Sequence, residues 1–229
     1  MITKSVLEEL YVQKKFSVAE IAERLGTTFP RTLYWVHKHR ITIRSASERT
    51  YVKLNPDGDP FDPKPHLTRS EQALLISSLA LYWGEGGRKT PYAAQLGNLD
   101  PRMLQVFVRF LREIARVHES RIRLDVRIHE QFSKKSAHRY WSRTLKLQPK
   151  QIFVYHHMDP RSRPEKQWSP YGIATLSINN TKFKSWIDQQ LEQHIQQFVN
   201  PVQFPPGGHS LAKDGVGTYT YATAPSDFS

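Results

Sequence analysis

Pro56, Pro60, Pro63 and Pro65 crowd into one short stretch of the chain. Each fixes φ and removes a backbone donor, so neither a helix nor a central strand can run through them. The chain must therefore fold in blocks on either side of this stretch. Asn55-Pro-Asp-Gly-Asp-Pro60, followed by Asp62-Pro-Lys-Pro65, reads as a linker over residues 49–69. Residues 1–48 have a helical pattern throughout, and residues 70–199 alternate helical and strand periods. Residues 200–229, with Pro205-Pro-Gly-Gly208 and small polar residues, read as a flexible tail. The expected class is α+β: an all-α domain, then a mixed domain.

Charge narrows the function. The 229 residues carry a formal net charge of +12, of which +4 falls in residues 1–50 and +8 in residues 70–150. Two basic blocks suggest two anion-facing surfaces, most simply for nucleic acid. There is no cysteine, which excludes disulfides, thiol nucleophiles and Cys-ligated metal. No phosphate-binding glycine loop with a following Lys-Ser/Thr occurs, and no organic cofactor is expected. No apolar run is long enough to span a bilayer and no signal-peptide pattern opens the chain, so a cytoplasmic, nucleoid-associated protein is expected.

In the first block, Ser17 and Glu20 have capping-box spacing ahead of Val18, Ile21, Ala22 and Leu25. Gly26 supplies a turn, and a second helix is expected from Phe29 to His39, with Leu33 and Val36 inward. Thr28, Arg31, Thr32, Trp35 and Lys38 then share an outer face at spacings of three and four. A helix, a short glycine turn and a second helix with Arg, Thr and Lys outward is what major-groove reading needs. The run from Val18 to Thr28, followed by Arg31-Thr-Leu-Tyr-Trp-Val, resembles resolvase-like bacterial helix-turn-helix domains.

A helix over residues 70–84 opens the second block. Ala73, Ser77, Ala80 and Gly84 form a stripe of small residues along it, while Leu75, Leu79 and Tyr82 can enter a core. Glu85 closes the helix, where a carboxylate faces the negative end of the dipole and calls for a cation: Arg88, Lys89 or a divalent metal. Ser78-Leu-Ala-Leu-Tyr-Trp-Gly-Glu-Gly86 resembles the LAGLIDADG motif of homing endonucleases. The expected element order, helix, strand, helix, strand, helix, strand, strand, helix, is similar to that family's αββαββα fold with one helix inserted and one early strand unclear. The resemblance implies a homodimer through Ala73, Ser77, Ala80 and Gly84. It also implies a Mg²⁺ site at Glu85, with the Gly84 or Gly86 backbone as second ligand, and cleavage of DNA phosphodiesters.

Arg121-Ile-Arg-Leu-Asp-Val-Arg-Ile-His129 alternates with period two. Arg121, Arg123, Arg127 and His129 share one face, where a polyanion would relieve their mutual repulsion. The helix from Met103 to Val117 carries a further stripe, Arg109, Arg112 and Arg116, for solvation or phosphate contact. Residues 151–158 and 171–178 read as a hairpin whose loop brings Arg161, Arg163 and Lys166 toward a DNA backbone. His156 and His157 point to opposite faces of a strand and make a poor chelate. The expected function is sequence-specific binding of duplex DNA with, as the resemblance implies, Mg²⁺-dependent endonuclease cleavage; the alternative is a non-catalytic transcriptional regulator on the same fold. A structured-RNA binder is disfavoured, because the helix-turn-helix suits B-form DNA.

Overall fold

The computed structural model of the protein describes residues 1–87, 89–156 and 169–199. The first block is helical. A short α1 (Lys4–Leu7) runs into a π-helical stretch, Glu8–Gln13, and is followed by α2 (Val18–Arg24) and α3 (Phe29–Lys38). Ser17 starts α2 with both arms of a capping box: its amide donates to Glu20 at 2.7 Å, and its hydroxyl accepts from the Glu20 amide at 3.2 Å. Leu7, Tyr11, Val18, Ile21, Val36 and Ile41 close a small core of their own.

The expected linker is in part a helix and in part a strap. Ser45 caps α4 (Ala46–Leu54), which occupies residues expected to be unstructured. Ser45 and Glu48 repeat the spacing used at Ser17, and the prolines begin only after this helix ends. Beyond it, Pro60–Lys64 is pinned to residues 114–118. Asp62 and Lys64 donate to the carbonyls of Ala115 and Ile114 at 3.2 and 2.8 Å, and the His118 amide donates to Pro60 at 2.9 Å. Phe61 packs edge-on against Phe183.

The second block contains α5 (Arg69–Glu85), β1 (Ala93–Asn98), α6 (Pro101–Glu113), β2 (Arg123–Ile128), α7 (Lys134–Leu145), β3 (Ile152–His156), β4 (Ile173–Asn179) and α8 (Thr181–Gln196). The order of helices and strands is the expected one, and the class is α+β. The strand pairing differs from the expectation. The sheet order is β1-β4-β2-β3, so β3 and β4 form no hairpin. β4 lies antiparallel between β1 and β2, and β3 runs parallel to β2. The cause is the helix between β2 and β3: α7 carries the chain back to the end where β2 began, so β3 can only run parallel. β4 buries Ala174, Leu176 and Ile178 and takes a central position, while the more exposed β3 takes an edge.

Leu96, Leu124, Val126, Ala174 and Leu176 face the helices and join Leu79, Tyr82, Phe107, Phe110, Trp141 and Ile187 in one core. Burying each of these large side chains contributes about 1.5–3 kcal/mol. No helix among the described residues is long and apolar enough to cross a membrane.

Candidate nucleic-acid interface

Gly26 takes φ +58° between α2 and α3, a conformation open to glycine at no steric cost. It aims α3 outward. The outer face of α3 is rotated from the expected one. Thr32 is fully buried, and its hydroxyl donates to the Thr28 carbonyl at 3.2 Å, so it is a packing residue. Trp35 is half-buried against the small core and stacks on His39. Arg31 and Lys38 remain exposed, with Thr28 at the N-cap, and Phe29 and Tyr34 join them at 49 and 56% exposure. Among the described residues neither Arg31 nor Lys38 has an ion-pair partner; Lys38 lies 4.8 Å from the centre of the Trp35 ring. Thr32 can turn inward because its hydroxyl is satisfied by the Thr28 carbonyl of its own helix rather than left unpaired in the core.

Five other arginines that could face an anion are engaged within the chain. Arg123 grips Asp125 through Nε at 2.9 Å and Nη2 at 2.8 Å, and its guanidinium lies 3.9 Å from the centre of the Phe153 ring. Arg121 lies in a 3₁₀ turn, Glu119–Arg121, ahead of the strand, and Nη2 donates to the last carbonyl of α4, Leu54, at 3.2 Å. Arg109 pairs with Glu113, and Arg116 with Asp62. Arg112 holds Glu119 and also donates to the carbonyls of Leu145 and Lys146. The Arg112 guanidinium keeps the Glu119 carboxyl below its ordinary range. Of the strand arginines, Arg127 is the exposed one, and His129 is half-buried just past the strand end. Lys89 is exposed, whereas Arg88, Arg161, Arg163 and Lys166 lie outside the described residues.

The sheet face turned away from the helices is open over β2 and β3. Strand register sets Gln95, Ser177 and Arg123 in one row, then Gly97, Thr175, Asp125 and Phe153, then Ile173, Arg127 and Tyr155. Phe153 and Tyr155 escape the sequence reading because β3 is apolar at nearly every position, so period two cannot say which side faces out.

At the foot of α5, Glu85 is exposed, and Gly86 turns the chain into an isolated bridge with Leu96. A Cβ at Gly86 would fall 2.2 Å from the Tyr82 carbonyl oxygen, so only glycine fits. Ala73, Ser77, Ala80 and Gly84 all lie on an exposed strip of α5, flanked by Ile76 at 40% and Trp83 at 49% exposure. A Cβ at Gly84 would meet nothing within 4 Å. A helical glycine costs about 1 kcal/mol relative to alanine, and no contact among the described residues requires it there. No group of three or more His, Asp or Glu able to hold a metal occurs among the described residues. Among the described residues, the groups at this position that could meet a divalent ion are the Glu85 carboxylate and nearby backbone carbonyls. Comparison with protein families, with characterised proteins and with solved structures found no match to the chain.

Proposed function

We propose that this protein binds duplex DNA in a sequence-dependent way, with α3 in the major groove. The observation that carries this reading is the outer face of α3. Arg31, Tyr34 and Lys38 stand exposed there, beyond a left-handed glycine turn, in a chain of net charge +12. Arg and Lys can fork onto guanine or meet phosphate, and Tyr34 can contact a thymine methyl. The α/β domain is the second element of the reading: a LAGLIDADG-like body that self-associates through the open strip of α5. Selection from a randomised duplex library, with affinities read by anisotropy at several salt concentrations, tests it. Enrichment of a sequence and a slope of about −0.9 in log K per neutralised phosphate are expected. No enrichment, or affinity indifferent to salt, overturns it.

A second reading, metal-dependent phosphodiester cleavage, is favoured by the exposed Glu85 at the base of that strip. On the LAGLIDADG-like reading, two copies each contribute Glu85 to the metal site. Mg²⁺ would supply Lewis-acid stabilisation of charge on the scissile phosphate. Glu85→Gln keeps the shape and removes the charge. Cutting by wild type alone supports this reading; binding by both proteins and cutting by neither leaves a DNA-binding regulator.

A further inference from the structure

Placing α3 in the major groove leaves the open face of the sheet without an assigned ligand. Phe153, Tyr155 and Ile173 are 37, 45 and 47% exposed there, side by side across β3, β2 and β4. Large apolar groups gathered on one surface mark a contact site more often than isolated ones do. Arg127 stands between Tyr155 and Ile173, and Arg123 is held flat against Phe153 by Asp125. Among the described residues, the acid of these rows, Asp125, is held by Arg123.

We propose that this face binds single-stranded nucleic acid, with unpaired bases stacking on Phe153 and Tyr155 and the adjoining phosphates meeting Arg127. The two rings are two residues apart on one strand, about 6.6 Å at the rise of a β-strand. That spacing suits successive bases of an extended strand, one on each ring. Duplex bases hide their π-faces in the stack, so only unpaired bases can use such a platform. Arg123 strengthens it: its Nη2 donates to the Tyr155 hydroxyl at 3.1 Å, so a single guanidinium steadies both rings. A flat cation against the ring is itself a stacking surface for a base.

The inference rests on the reading of the chain as nucleic-acid binding, but not on α3 as the reading element. The test uses the full-length protein, a short fluorescein-labelled oligothymidine, an abasic strand of the same length, and a random duplex. The abasic strand keeps every phosphate and lacks every base. Wild type is expected to bind oligothymidine at least about tenfold more tightly than the abasic strand. Tyr155→Ala and Phe153→Ala are each expected to weaken oligothymidine binding by about 5- to 100-fold, the range for a lost base stack. Duplex affinity should stay within about twofold, and Tyr155→Phe should retain most of the single-strand binding. Circular dichroism confirms that each variant is folded. Equal wild-type affinity for the base-bearing and abasic strands overturns the inference, without any variant being needed. Parallel loss of duplex and single-strand binding in folded Tyr155→Ala also overturns it. Duplex binding without oligothymidine binding sinks this inference and leaves the α3 reading standing; the converse sinks the α3 reading and leaves this one.

Discussion

Arg112 donates to both carboxylate oxygens of Glu119, at 2.9 and 2.6 Å, and with the same guanidinium reaches the carbonyls of Leu145 and Lys146 at the end of α7. One side chain thus ties α6 to the turn before β2 and to the end of a third element. Arg112→Ala is expected to destabilise the protein by about 1–3 kcal/mol, since it strands several acceptors at once. A urea titration measures this. Duplex affinity should be unchanged, and a tenfold loss of affinity at unchanged stability would show that this arginine contacts DNA after all.

On α3 the buried and exposed positions make a matched pair. Arg31→Ala should weaken binding to a selected duplex by about 1–3 kcal/mol if it reads a base, with relaxed preference at one position. Thr32→Val, which removes only a buried hydroxyl, should leave that affinity within about twofold. If the threonine change harms recognition more than the arginine change, α3 presents a different face from the one described.

Ala80→Leu places a large side chain on the open strip of α5. Because Ala80 is exposed, the isolated fold should keep its stability. Sedimentation equilibrium is expected to show a wild-type dimer and a monomeric variant. A monomeric wild type would remove self-association through α5, and with it the cleavage reading.

Glu71 caps α5, and its carboxyl is pushed down to about 2 from 4.5 by the Lys64 ammonium beside it, then by the Thr68 amide and hydroxyl. A carboxylate with a lowered folded pKa contributes stability that is present above the unfolded value. That contribution is lost as pH falls from about 4.5 toward 2. Glu71→Gln should therefore lower the urea midpoint at neutral pH and matter progressively less as the pH falls through that window. A constant difference across it would mean that Lys64 and Thr68 do not hold the carboxylate in solution.

The succession of helices and strands is legible because period and capping are local. Ser17 with Glu20 marks a helix start, and Ile122 to Ile128 alternate cleanly in the sequence and in burial. Pairing is not local. The apolar β3 and β4 read alike, and only the crossing of α7 decides that β3 lies beside β2. Charge is legible as a sum but not as an allocation. Arg109, Arg112, Arg116 and Arg123 resemble Arg31 and Arg127 in composition, yet the former are engaged by Glu113, Glu119, Asp62 and Asp125. Those partners lie two to 54 residues away in sequence, and the acids nearest in sequence are not a reliable guide to them. Ser45 and Glu48 did carry a helix signal ahead of the prolines, and the prolines masked it.

The pinned strap from Pro60 to Lys64 sets how the two blocks can act together. A slack connection would let the helical block sample many offsets from the sheet, and the two would engage a ligand as independent tethered modules. With Pro60, Asp62 and Lys64 bonded to the loop after α6, and Arg121 closing the end of α4, the connection itself is held against the second block. The ordering entropy of joining the blocks is already spent during folding. On the proposed reading, a held connection would limit the distance between two contact points on a ligand, and lengthening the chain between Leu54 and Pro60 should change which spacing the protein accepts.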